Sequence, residues 1–231
     1  MKNVIKVENL SKSYGKQKVL DNVSLKVSEG ENFGLLGDNG AGKTTTIECI
    51  IGTELFDNGE ISVLGMDPKI SRKELFEDVG VQFQESSYQD KIKVEELCEI
   101  TISLYKNTLD YKELLKKFGI DNRINNYVNE LSGGQKQRLF IVLALIPNPK
   151  VVFLDELTTG LDARARREIW KIFLEFKKDG MAILLTSHFM DEVDKLCDVI
   201  CILKDGKIVF YGSVYEAIKS SPYNNLEETY L

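Results

Sequence analysis

Cysteine is scarce in this sequence: Cys49, Cys98, Cys197 and Cys201 form no C-x-x-C pair, and His188 is the single histidine. That inventory argues against a disulfide framework and against a structural zinc site. Long apolar runs are missing too. The longest, Leu139 to Ile146, has eight residues, against the ~20 needed to cross a bilayer. The opening Met1-Lys2-Asn3-Val4 alternates polar and apolar residues and carries no secretory h-region. Positive charge is in deficit, with 30 Lys and Arg against 36 Asp and Glu and a net charge of −6. Such a balance speaks against a general nucleic-acid or anionic-lipid surface. These absences predict a reduced, cytosolic, soluble chain.

The 231 residues, 43% of them apolar and 29% charged, fit one large globular domain or one domain with an inserted subdomain. A chain of this length can bury about 70% of its unfolded surface, so it needs no covalent staple. Residues 4–10 and 19–27 alternate like half-buried strands, and Glu29-Gly30 turns into the short apolar run Asn32 to Leu36. Thr44 to Ile51 can be helical. Asp57-Asn58-Gly59 is a tight-turn signal before a strand from Glu60 to Leu64, and Val79 to Phe83 is a further strand. From about 91 to 129 the pattern turns helical. Val94, Leu97, Ile100, Thr101 and Leu104 are expected on one face, with Leu114, Leu115 and Phe118 on the next.

Beyond that insert, Val151 to Leu154 reads as a strand buried on both faces of a parallel sheet. Residues 163–178 form an amphipathic helix that buries Ile169, Trp170, Ile172, Phe173 and Phe176, with Arg164, Arg166 and Arg167 on its solvated face. Ala182 to Thr186 is the next strand and 189–197 a helix. Val199 to Leu203 and Lys207 to Tyr211 make a hairpin about Asp205-Gly206. Strands alternating with helices imply an α/β fold with a mostly parallel sheet.

Gly37-Asp38-Asn39-Gly40-Ala41-Gly42-Lys43-Thr44 matches G-x-x-x-x-G-K-[ST] between a predicted strand and a predicted helix. Glycines let the backbone turn so that its N–H groups wrap a phosphate. Lys43 reaches the outer phosphates and the Thr44 hydroxyl can ligate Mg²⁺. Asp155 and Glu156 close a strand, where ligands of open α/β sheets bind. Asp155 is the expected Mg²⁺ partner, and Glu156 the residue that orients or deprotonates an attacking water. Ser132-Gly133-Gly134-Gln135 opens a helix and leaves backbone donors free for an anion. Spacing alone favours the plainer reading, a serine N-cap with a flexible entry.

The phosphate loop, Leu131-Ser132-Gly133-Gly134-Gln135 and Val151 to Glu156, in this order, resemble the ATP-binding subunit of ABC transporters over essentially the whole chain. The resemblance implies a P-loop NTPase core. Residues 1–90 and 130–231 would form it, with an N-terminal antiparallel β subdomain and a helical insert over about 91–129. It implies ATP and Mg²⁺, with Gly37 through Thr45 on the nucleotide and Tyr14 stacked on adenine. Gln84 would sense Mg²⁺ and the γ-phosphate, with Gln82 as its rival in the same segment. His188 would stand near the γ-phosphate, and Asp162, in Thr159-Gly160-Leu161-Asp162, on a loop at a dimer interface. Ser132, Gly133, Gly134 and Gln135 would cap the nucleotide of a second subunit. One departure is Leu157, where the family usually has proline, which puts the rigidity of that loop in question.

The resemblance further implies two partners: a second copy or a related ATPase subunit, and an integral-membrane permease that keeps the chain on the inner face of the membrane. Nucleic acid is not an expected partner. The segments Gly80 to Gln84, Ser187 to Glu192 and Asn225 to Leu231 look most like drug, antibiotic or bacteriocin exporter subunits, with a drug, antibiotic, peptide or lipid-like cargo. A soluble ABC-family ATPase acting on ribosomes or DNA is the alternative, though such relatives usually carry two cassettes or a coiled-coil insert. A small-molecule kinase on the same phosphate loop would have no use for residues 131–135.

Overall fold

The computed structural model describes residues 2–82, 91–219, 226 and 228. Gln84 lies outside the described residues. Two alternating segments near the start become long strands, β1 (Asn3–Tyr14) and β2 (Gln17–Ser28), paired antiparallel. β4 (Asn58–Val63) pairs with the other edge of β1, giving the order β2-β1-β4. The expected turn at Asp57-Asn58-Gly59 is not one: Asn58 and Gly59 already belong to β4. The register shifts between Glu8 and Ser11 of β1, opposite Gly59. There Gly59 adopts φ +114°, where a Cβ would stand 2.7 Å from the Glu8 carbonyl oxygen. The glycine therefore serves an irregularity in the ladder, the other common use of glycine in a strand.

The second sheet has the order β5-β6-β7-β3-β8-β9. It is built from β3 (Asn32–Gly37), β5 (Val79–Gln82), β6 (Val151–Leu154), β7 (Ala182–Leu185), β8 (Val199–Lys204) and β9 (Lys207–Ser213). All pairs are parallel except the β8–β9 hairpin. Because successive side chains point to opposite faces, the buried strands feed two cores. Val152 and Leu154 of β6 with Ile183 and Leu185 of β7 join one apolar cluster. Val151, Phe153, Ala182 and Leu184 join the other, together with the antiparallel sheet. The α/β class with a mostly parallel sheet and an antiparallel N-terminal sheet is the fold observed.

Helices α1 (Lys43–Ile50), α2 (Arg72–Leu75), α3 (Val94–Ser103), α4 (Tyr111–Lys117), α5 (Gly133–Leu145), α6 (Ala163–Lys178), α7 (Met190–Leu196) and α8 (Val214–Lys219) complete the described elements, with short 3₁₀ turns at Asp121–Arg123 and Val128–Glu130. Leu114, Leu115 and Phe118 are buried, as expected. The α3 face differs from expectation. Val94, Leu97 and Cys98 are buried, whereas Ile100 and Leu104 are exposed. Cys98 takes the i+4 position beside Val94, and the helix turns that side to the core. Arg166 also departs from a solvated role: its guanidinium packs 4.3 Å from the Phe189 ring centroid, and Nη2 lies 3.5 Å from Asp191 Oδ2.

Candidate nucleotide and catalytic site

The carboxyl ends of β3, β6 and β7 are neighbours in the sheet, so the loops after them converge. β3 ends at Gly37, at φ +148°, where a Cβ would collide with the Leu203 carbonyl oxygen of β8. Gly42, at φ +102°, occupies the N-cap of α1, where a Cβ would meet Leu20 Cδ2 at 2.6 Å. Only glycine lets the loop double back against both walls. Lys43 is buried, and its Nζ donates to the Gly37 carbonyl at 2.9 Å and the Asp38 carbonyl at 3.1 Å. Burial pushes this ammonium below its ordinary pKa, while Asp155, Glu156 and Asp38 act in the opposite direction. It is a cation held in place with its charge incompletely offset, as a phosphate ligand requires.

A cleft of about 390 Å³ runs over the loop. Tyr14, Asn39, Gly40, Lys43, Asp155 and Glu156 stand along it, as do Gly42, Thr44 and Thr45. Ala41 is buried beneath it, donating its N–H to the Asp38 carbonyl at 3.1 Å. Tyr14 is 47% exposed at the rim, its ring covered on one side by Lys12 Nζ, 4.5 Å from the centroid. Lys12 is fixed in turn by Glu54 at 2.6 Å.

Thr44 Oγ1 donates to Asp155 Oδ2 at 3.2 Å. The other Asp155 oxygen accepts from Thr186 Oγ1 at 2.5 Å, and Thr186 Oγ1 accepts from the Glu156 N–H at 2.9 Å. Among the described residues no group of three or more His, Cys, Asp or Glu could hold a metal ion. One hydroxyl and one carboxylate nevertheless fit Mg²⁺, which takes few protein oxygens and completes its shell with waters and substrate phosphates.

Glu156 stands at φ +55°, a left-handed conformation uncommon for a residue with a Cβ. Its Oε1 lies 3.1 Å from His188 Nε2, and its Oε2 accepts from Thr159 Oγ1 at 3.1 Å. The loop it begins is held from behind. Gln137 Nε2 of α5 donates to the Glu156 and Leu157 carbonyls at 3.3 and 2.7 Å. Leu157 is fully buried. The rigidity that a proline at 157 would supply comes here from tertiary hydrogen bonds.

Gln82 is buried at the end of β5 and donates Nε2 to the Asp155 carbonyl at 3.2 Å; it braces β6. Ser132, Gly133, Gly134 and Gln135 do not line the cleft. Ser132 and Gln135 cap α5 reciprocally, Ser132 Oγ accepting from the Gln135 N–H at 3.3 Å and Gln135 Oε1 from the Ser132 N–H at 3.0 Å. Asp162, also outside the cleft, caps α6 by accepting from the N–H groups of Arg164 and Ala165 at 2.9 and 2.8 Å. Thr186 and Gln137 are the supports that sequence reasoning missed. Thr186 had a signal, since it directly follows β7, the strand beside β6; Gln137 had none.

A family model described as ABC transporter matches residues 20–159. The chain belongs to the ABC transporter family. It is 34% identical to a methionine import ATP-binding protein of Clostridium tetani, over 91% of this chain and 70% of that one. It is 36% identical to a Nod factor export ATP-binding protein of Rhizobium etli, over 93% of this chain and 69% of that one. The solved structure of an ATP-binding subunit of an ABC transporter superposes with a TM-score of 0.90 at 28% identity, over 98% of both chains. A bacterial ABC transporter cassette solved as a dimer gives 0.80 at 26% identity, over 90% of this chain and 98% of that one. This ABC protein is therefore an ATPase of the kind coupled to transport. Its relatives include an importer and an exporter, so resemblance to exporters alone does not set the direction. Among the described residues no helix is long and apolar enough to cross a membrane.

Proposed function

We propose that this chain binds ATP in the cleft above residues 37–45 and hydrolyses it to ADP and phosphate while driving a membrane permease. The observation that carries the reading is Glu156, held in a left-handed turn at the end of β6 with His188 Nε2 3.1 Å from its carboxylate. In this mechanism Tyr14 stacks on the base, and the N–H groups of residues 37–45 take the phosphates. Lys43 leaves its carbonyl partners for the β- and γ-phosphates. Thr44 and Asp155, with Gln84, would hold Mg²⁺, which when bound offsets charge on the transferred phosphoryl group. Glu156 orients the attacking water and takes its proton, and His188 keeps the carboxylate aimed and approaches the γ-phosphate.

Ser132 to Gln135 face the nucleotide of a second copy or of a related subunit, so that ATP joins two chains and hydrolysis parts them. Asp162 stands on the loop at that interface. The helical insert, about 91–129, is the side offered to the permease, which places the chain peripherally on the cytoplasmic face of the membrane. The resemblance of residues 80–84, 187–192 and 225–231 to exporter subunits, together with the Nod factor export relatives, supports outward transport of a drug, antibiotic, peptide or lipid-like compound.

The Glu156→Gln variant tests the chemistry. It keeps nucleotide affinity, loses about a thousandfold in kcat, and elutes as a dimer with ATP. Ordinary turnover in that variant overturns the assignment. Purification from gently solubilised membranes tests the coupling, with the expected companion a permease bearing several spans of about 20 residues. Recovery with ribosomal or DNA-bound proteins instead would favour the soluble ATPase.

A further inference from the structure

Glu192 is a carboxylate with no access to solvent, on the first turn of α7, four residues after His188. Neither binding nor hydrolysis of ATP, as described above, uses it. Its Oε1 accepts from Thr158 Oγ1 at 2.7 Å and from Trp170 Nε1 at 2.9 Å, both bonds buried. Thr158 is two residues beyond Glu156, and Trp170 lies on α6, the helix that this loop enters. One carboxylate oxygen thus joins three pieces of chain: the loop that begins at Glu156, the helix into which it runs, and the helix that follows His188.

An acid so placed is unfavourable in itself. Burial pushes the Glu192 carboxyl above its ordinary pKa, against contacts with Ser187, Thr158 and Trp170 and the charge of Arg166. Core helices ordinarily put an apolar side chain in such a position. The left-handed turn at Glu156 also requires restraint from its surroundings. Thr186, two residues before His188, holds the Glu156 N–H, and Gln137 holds the Glu156 and Leu157 carbonyls; the hold further along the loop, at Thr158, comes from Glu192.

We propose that Glu192 is a positioning residue for hydrolysis, its Oε1 clamping Thr158 so that the Glu156 carboxylate and the His188 imidazole meet at 3.1 Å. The proposal rests on the reading of Glu156 and His188 as the hydrolytic pair. It differs from a packing role in a testable way, because Thr158 and Trp170 share the same acceptor but only Thr158 belongs to the Glu156 loop.

The test measures kcat and KM for ATP, mant-ATP affinity and Tm on the full chain. Thr158→Val removes one hydroxyl at nearly constant volume. It is expected to lower kcat about 10- to 100-fold, the range for misplaced catalytic groups, with KM and mant-ATP affinity within about twofold. Trp170→Phe removes the other donor and is expected to lower Tm while kcat stays within about twofold. Glu192→Ala should behave as Thr158→Val with a lower Tm, and Glu192→Gln, which keeps an acceptor oxygen, should recover kcat to within about threefold. Wild-type kcat in Thr158→Val, or equal losses of kcat in Thr158→Val and Trp170→Phe, overturns the proposal, even if Glu192→Ala fails to fold. Glu156→Gln and His188→Ala are measured in parallel. If they lose turnover while Thr158→Val does not, only the positioning role fails; if they keep it, the hydrolytic pair itself is wrong.

Discussion

Residues 37–44 and residues 131–135 are both glycine-containing entries into a helix, each with open backbone donors, and they stand in opposite relations to the rest of the chain. The first is enclosed. Lys43 is buried among its own carbonyls, and Tyr14, Asp155 and Glu156 line the same cleft. The second is capped by its own reciprocal Ser132–Gln135 pair, and Ser132 and Gly133 are exposed. Two stretches of comparable local chemistry thus differ in what surrounds them. The enclosed one has its cation, hydroxyl and carboxylates in one chain, whereas the open one offers donors with no counterpart in the same cleft. That asymmetry agrees with the proposal, which rests on the family resemblance, that the open one serves a second chain's nucleotide.

Lys43→Ala gives the largest expected effect on this contrast. Loss of the buried ammonium should weaken ATP binding by the single chain about 100-fold, as for charge-assisted contacts. Titration with a fluorescent ATP analogue reads it, and unchanged affinity would show that the enclosed loop is not the phosphate site. Ser132→Ala divides the two elements more sharply. Single-chain affinity should stay within about twofold and the cap loss should cost about 1 kcal/mol, while ATP-dependent dimerisation in the Glu156→Gln background is lost. A weaker single-chain affinity would place residues 131–135 at the chain's own nucleotide.

The smallest effect belongs to Asp162, which caps α6 as Ser132 caps α5. The Ala165 N–H, with that of Arg164, holds its carboxyl below the ordinary value. A depressed folded-state pKa stabilises above the unfolded value and is lost as pH falls through the folded one. Asp162→Ala should therefore lower Tm slightly at neutral pH, and the gap to wild type should close below about pH 4. A gap that widens on acidification would contradict the cap.

Strand β6 was legible because four apolar residues followed by Asp155-Glu156 are a local pattern, and the phosphate loop because its glycines and Lys43-Thr44 stand next to one another. The Asp57-Asn58-Gly59 signal was misleading for the same reason. Its glycine is needed against Glu8 of β1, a neighbour that no local pattern names. The face of α3 went partly astray because helical spacing alone does not choose between Ile100 and Cys98 as the side turned inward.

By itself, then, the sequence determined which segments alternate, which are buried on both sides, and where a phosphate can be wrapped, since each of these depends on residues within a turn or a strand of one another. Tertiary structure alone decided that Thr44 meets Asp155 across 111 residues, that Thr186 serves two acids at once, and that Gln137 and Glu192 restrain the Glu156 loop. The contacts of Thr44 and Thr186 with Asp155 follow from the order β6-β7-β3, which sets the loops after those three strands side by side, whereas those of Gln137 and Glu192 come from helices packed against the sheet.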